Sequence, residues 1–189
     1  ITLKHWKGAG CVVPVFSLRS EGSMGVGDFG DLRKMVRWAS ETGMKAVQLL
    51  PINDTTRSGS WHDSYPYNGI SVFDLDLREW RDTKAFKAVK EEGTKLNALP
   101  ALDYEQTFKL KMTFAHALYK ECGAKICMTP DYKVFVNDNT HWLPAYTAFS
   151  ALRDFYHTAD FRSWPQNCTY SNIEQIEKAH PELATTRAF

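Results

Sequence analysis

The sequence predicts an α/β fold in two parts: a parallel strand–helix–strand opening over residues 1–77, then a mainly helical subdomain over residues 78–189. Three observations carry this prediction. Cys11–Leu18 and Ala46–Pro51 are nearly continuous apolar, β-branched runs, the pattern of strands buried on both faces of a parallel sheet. Between them Phe29, Leu32, Met35, Val36 and Ala39 recur at helical spacing and make one apolar face. From Arg78 onward the periodicity is helical throughout.

The elements follow in order. Residues 1–10 are polar and end in Gly8-Ala9-Gly10, a lead-in segment. Pro14 cannot donate to a sheet ladder, so it marks a strand end or a bulge. Asp28 is placed to cap the first helix, with Asp31 in its first turn and Gly43 as its stop. Strand, helix and strand within about forty residues make one βαβ unit, and hence a parallel pair with a right-handed crossover. Ile52–Gly69 is then a long loop at the C-terminal end of the second strand, and Ile70–Leu77 a short extended segment.

The second part begins with a charged helix, Lys84–Gly93, anchored by Phe86 and Val89. A loop centred on Pro100 follows. The longest helical pattern is Asp103–Cys122, with Phe108, Met112, Ala115 and Leu118–Tyr119 on one face. A short helix starts at Pro130, and Asn139–Tyr156 is another, with Trp142, Tyr146 and Phe149 as its core residues. Arg162–Tyr170 is a loop, and Asn172–Lys178 opens a last helix. Two strands cannot close a barrel, so the chain reads as the front part of a longer domain.

Composition excludes several classes. The formal net charge is +1, so there is no basic field for nucleic acid or anionic lipid. No apolar run is long enough to span a bilayer, and Ile1–Gly10 lacks the apolar core of a secretion signal. Cys11, Cys122, Cys127 and Cys168 show neither a zinc spacing nor a disulfide framework, so reduced thiols in the cytoplasm are expected. His116, His141, His157 and His180 form no i, i+4 metal pair. Gly25-Val26-Gly27-Asp28-Phe29-Gly30 spells a dinucleotide loop, but about six residues separate it from the preceding strand, and no acidic ribose partner follows at the expected distance. No cofactor and no metal are expected.

One stretch points to a ligand. Trp61–Phe73 holds four aromatics, two hydroxyls, an amide and a carboxylate. It follows the second strand at the edge where parallel α/β folds bind ligands. Flat rings beside convergent polar groups suit a sugar, because rings cover the apolar face of a pyranose while polar atoms meet its hydroxyls. Tyr67, Ser64, Asp63, Trp61 and Asn68 are the candidate binding residues. His62 reads as a surface or supporting residue, and Asp54 as a turn former.

Several runs along the chain carry a family resemblance. They are Lys7–Gly10, Phe16–Ser20, Gly25–Phe29, Val47–Thr55, Asp63–Tyr67 and Ser71–Phe73, followed by Ala101–Glu105, His141–Tyr146 and Leu152–Phe155. Together they resemble the 4-α-glucanotransferases (amylomaltases, or disproportionating enzymes) of glycoside hydrolase family 77, above all the long cytosolic type. The resemblance implies a TIM barrel with helical insertions, of which this chain is the opening portion. It implies transfer of α-1,4-glucan segments between maltooligosaccharides or to glucose. It also implies that Tyr67 packs against the sugar next to the scissile bond, with Ser64 and Asp63 as polar residues of the same loop.

A retaining mechanism needs two carboxyls about 5 Å apart. In the family these lie on later strands, one of them in an Asp-x-x-Arg-Gly motif. The nearest lookalike here, Asp160-Phe161-Arg162, lacks the glycine, so no catalytic carboxylate is assigned to this chain. The expected partners are α-glucan, a glucose acceptor and the remainder of the same catalytic domain. The chain departs from the family after Phe73, where a His-Pro-x-Tyr-Leu run is absent and Asp74-Leu75 leads directly to Asp76-Leu77-Arg78. A noncatalytic α-glucan-binding fragment and an α-glucan hydrolase are the competing readings.

Overall fold

A computed structural model describes residues 7–50, 52, 72–165 and 172–189. The chain divides into two compact units, residues 1–117 and 118–189. The first unit thus carries the βαβ opening together with residues 78–117.

In the first unit, strand β1 (Gly10–Val13) pairs in parallel with β2 (Ala46–Leu49), Gly10 opposite Ala46 and Val13 opposite Leu49. Helix α1 (Phe29–Glu41) joins them. Its start is set locally. Asp28 Oδ1 accepts from the amides of Gly30 and Asp31, and Asp31 Oδ2 accepts from the Asp28 amide, closing a capping box. Its end is Gly43, at φ 79°, which the left-handed turn after the helix requires.

Both strands are shorter and wetter than the sequence predicts. β1 stops at Pro14, and Val15–Ser17 turns into a 3₁₀ segment instead of continuing to Leu18. Neither strand is buried on both faces: exposure alternates along each, and Val12 is 61% exposed. The sheet has two strands among the described residues, so it lacks neighbours to cover both faces. The α1 face is only partly covered for the same reason; Ala39 is buried, but Val36 and Phe29 are exposed.

After residue 71 the chain is not extended. Val72–Asp74 and Leu77–Trp80 are 3₁₀ turns, the second capped by the Asp76 side chain on the Arg78 amide. Helix α2 (Lys84–Asn97) starts at Thr83, whose hydroxyl accepts from the Phe86 amide. Phe86 and Val89 are buried as expected, but α2 runs through Gly93 rather than ending there. A Cβ at Gly93 would collide with Met24, so the glycine serves close packing.

Helix α3 (Tyr104–Cys127) begins in the first unit. Its buried positions are Tyr104, Thr107, Leu110, Lys111, Phe114 and Leu118. Of the predicted face, Leu118 is buried, whereas Phe108, Met112, Ala115 and Tyr119 are half-buried. The aromatic core of the first unit forms at the start of α3, where Phe73 stacks on Tyr104 at 4.6 Å and on Phe108 at 5.9 Å, with Val26 and Phe16 against them.

The second unit is helical. It contains α4 (Pro130–Asp138), α5 (Leu143–Tyr156), α6 (Ile173–Ala179) and α7 (Pro181–Ala188). Pro181 follows His180 at the start of a new helix, so the predicted last helix is two. The core is Ala148, Ala151, Leu152, Trp164, Ile173 and Leu183. Phe149 packs against it, but Trp142 is 40% exposed, its indole N–H donating to Asn139 Oδ1 at 2.8 Å. Residues 139–142 form a turn before α5, so Trp142 lies outside the helix that carries the core.

Leu152→Ala should cost about 2–5 kcal/mol of stability in urea unfolding, whereas Trp142→Ala should cost well under half as much. Equal losses would contradict the assignment of the core.

Candidate functional site

The parallel pairing puts the ends of β1 and β2 at one edge. Two connections leave from there, residues 14–28 and the loop after Leu50. The Leu50 amide still donates to Val13 O at 3.2 Å, so the second loop departs from a fixed point. The candidate residues Trp61, Asp63, Ser64, Tyr67 and Asn68, and also His62 and Asp54, lie outside the described residues. The described structure supplies the two ends of their loop and what holds them.

The returning end is held by its main chain and by one ring. Phe73 is buried in the aromatic stack. Lys111, itself fully buried, reaches from α3 and donates from Nζ to Phe73 O and to Leu75 O, the latter at 2.9 Å. The next residues carry charge. Arg78 donates from Nε to Asp76 Oδ1 at 2.7 Å, from one terminal nitrogen to Asp31 Oδ1 at 3.1 Å, and from the other to Asp28 Oδ1. Ser20 and Ser23 hydroxyls donate to Asp31 as well, and Lys34 Nζ adds a bond at 3.1 Å. One guanidinium thus ties the α1 cap, the first connection and the returning chain into one buried ionic cluster.

These contacts explain the glycine motif. A Cβ at Gly27 would overlap Val15 O, and one at Gly30 would overlap the Asp76 carboxylate and Arg78. Gly25, at φ 91°, lies against Thr107. The first-turn amides of Gly30 and Asp31 are already taken by Asp28, and three carboxylates surround the helix start. That geometry opposes a dinucleotide pyrophosphate. Among the described residues no three His, Cys, Asp or Glu side chains converge as metal ligands.

The cluster shifts its own titrations. Burial pushes the Asp74 carboxyl up to about 7, against the pull of Lys111. Asp74 Oδ2 accepts no hydrogen bond from any described residue. Burial brings the Lys111 amine down to about 8, with Asp28, Asp74, Asp76 and Asp31 opposing the shift. Burial also raises Asp28. For Asp31 burial acts upward, but the bonds from Ser20, Ser23 and Lys34 outweigh it and leave the carboxyl below its ordinary value. Burial opposes the Arg78 charge, yet its carboxylate partners hold the guanidinium firmly protonated.

Asp160 is used structurally. It caps a 3₁₀ turn through the Arg162 amide, and its carboxylate binds the Arg162 guanidinium at 2.8 Å.

A family model for 4-alpha-glucanotransferases matches residues 13–189. The chain belongs to the 4-alpha-glucanotransferase family. It is 39% identical over 180 residues to a 4-alpha-glucanotransferase DPE2 of Oryza sativa subsp. japonica, covering 92% of this chain and 19% of the relative. It is 32% identical to a 4-alpha-glucanotransferase of Chlamydia trachomatis serovar D, covering 88% of this chain and 32% of the relative. A Chlamydia muridarum 4-alpha-glucanotransferase is 28% identical, at 89% and 32% coverage. The chain therefore spans about a fifth to a third of the length of these relatives.

Within this glucanotransferase chain, sequence reasoning missed Arg78, Asp74 and Lys111. A signal for Lys111 was present: Tyr104, Thr107, Lys111, Phe114 and Leu118 form a seven-residue repeat, and the lysine occupies one of its inward positions.

The unfolded Asp74 carboxyl ionises near 3.8 and the folded one near 7. Between those values the unfolded chain binds fewer protons, so the stability this site contributes falls as pH rises and is lost above 7. Asp74→Asn removes that dependence. In urea unfolding of the full-length protein the variant should gain on wild type by on the order of 2 kcal/mol between pH 5 and pH 8. A gap that stays constant or shrinks would contradict the buried acid. Arg78→Met, which strands three carboxylates, should cost about 3–5 kcal/mol at pH 7 by the same measurement.

Proposed function

We propose that the full-length protein is a 4-α-glucanotransferase. It moves α-1,4-glucan segments between maltooligosaccharides, or to glucose, by a retaining mechanism. In this reading residues 1–77 open a TIM barrel, residues 78–189 form a helical subdomain, and the catalytic carboxylates come from the remainder of the same catalytic domain. The observation that carries the proposal is the family match across residues 13–189, with the Trp61–Phe73 stretch following β2 of a parallel pair in the sequence.

The engagement of several described carboxylates supports an origin elsewhere for the catalytic pair. Asp28, Asp31 and Asp76 are spent on Arg78, and Asp160 on Arg162. A nucleophile must be free to attack the anomeric carbon, and a general acid must be free to reach the glycosidic oxygen. Sugar binding therefore falls to the loop. Tyr67 covers an apolar sugar face next to the scissile bond, Ser64, Asp63 and Asn68 meet hydroxyls, and Trp61 adds a second ring. Residues that bind without performing the chemistry still raise the rate by fixing the geometry of attack. Transfer in place of hydrolysis requires the closed site to exclude water. A cytoplasmic location is the companion proposal, supported by the free thiols of Cys11, Cys122 and Cys127.

Two assays with maltotriose test this, following glucose and longer maltooligosaccharides. The isolated 189-residue chain should show no transfer; turnover by it would place catalytic groups within these residues. In the full-length protein Tyr67→Ala should lower kcat/KM for transfer at least about tenfold, roughly 1.4 kcal/mol. An unchanged value would remove Tyr67 from the sugar site.

A further inference from the structure

Phe86, Lys90, Thr94 and Asn97 recur at helical spacing and share one face of α2. The first connection packs against that helix. A Cβ at Gly93 would overlap Met24 Sδ, and Asn97 Nδ2 donates to Ser20 O at 3.0 Å. Between α2, this connection and the end of the Leu77–Trp80 turn lies a cavity of about 330 Å³, at the small end of the range for ligand sites. Its lining offers three kinds of contact. Phe86 and Met24, both buried, form an apolar floor. Arg81 and Lys90 are exposed cations with no ion-pair partner among the described residues. The acids near them in sequence are engaged elsewhere, Glu91 with Lys95 at 2.8 Å and Glu79 with Arg33. Among the described residues no acidic side chain lines the cavity, and Arg78, its third cation, already holds three carboxylates.

Thr94 and Asn97 add acceptors. The Thr94 hydroxyl donates to Lys90 O at 2.9 Å, which leaves its oxygen to accept. The buried Asn97 Oδ1 accepts from no described residue. Two unpaired cations call for an anion, and a phosphate monoester, with a charge near −2 at pH 7, matches both at once. Free acceptors call for hydroxyl donors, and a buried ring calls for an apolar face. A sugar carries both of these on one body. We propose that this cavity binds a sugar monophosphate, its phosphate between Arg81 and Lys90 and its ring over Phe86 and Met24. The proposal stands on these lining residues and does not rest on the transfer activity proposed above.

Isothermal titration calorimetry of the full-length protein at fixed ionic strength tests this, with glucose 6-phosphate, glucose and inorganic phosphate as probes. Glucose 6-phosphate should bind with a Kd of about 1 mM or tighter, and inorganic phosphate at least about tenfold more weakly. Arg81→Gln and Lys90→Gln, both at exposed positions, should each weaken glucose 6-phosphate at least about fivefold. Thr94→Trp, which fills the cavity but keeps both cations, should weaken it by at least as much. Glucose taken up at a glucan subsite should bind equally in wild type and all three variants. No binding of glucose 6-phosphate would overturn the proposal. So would binding that the three variants leave unchanged, which would put the ligand elsewhere. Inorganic phosphate binding as tightly as glucose 6-phosphate would mean an adventitious ion only and would also overturn it.

Discussion

The half-buried guanidinium of Arg78 is the contact on which the described part of the first unit depends. It bonds three carboxylates that the chain places far apart in sequence, Asp28 and Asp31 at the start of α1 and Asp76 on the returning chain. Without it those carboxylates would repel one another in a setting that solvates them poorly. With it, the helix cap, the glycine connection and the segment after the loop are held together. Lys111 completes the arrangement by supplying a second cation that binds main chain instead of carboxylate. The cost of burying so many charges is met by near-complete hydrogen bonding, which fixes one geometry more sharply than apolar contacts would.

That geometry accounts for the glycine motif. Gly27 and Gly30 face backbone or charged side chains with no space for a Cβ, so their role is close packing around the cluster. The same residues that spell a nucleotide loop serve here to seat a capped helix against an acidic centre. Packing of this kind fixes both ends of the loop that we assign to sugar binding, one by strand pairing and one by Phe73 and Lys111. A binding loop gains from fixed ends because less ordering remains to be done when the ligand arrives.

What the sequence disclosed was local. Asp28, Asp31 and Gly43 bracket α1 with short-range signals, and apolar runs marked β1 and β2. Pro130 began a helix as its residue type requires. What it did not disclose was tertiary. Arg78 meets Asp31 across 47 positions, and no short-range pattern reports such a pairing. The buried face of α3 includes Lys111, in register with Tyr104, Phe114 and Leu118, and an apolar pattern does not pick out a lysine. The helical spacing of Trp142, Tyr146 and Phe149 predicts a core position for Trp142, yet a turn before α5 leaves it exposed. The sugar-binding residues rest on resemblance and on their place after β2.

The central claim is that Tyr67 meets an α-glucan while the loop that carries it is anchored at Phe73. A crystal structure of the full-length protein with a slowly processed maltooligosaccharide analogue tests it most directly. The account predicts the Tyr67 ring stacked on a glucosyl unit beside the catalytic carboxylates, with Lys111 still bonded to Phe73 O and Leu75 O. A sugar bound away from Tyr67, or a Lys111 amine released from both carbonyls in the complex, would contradict it.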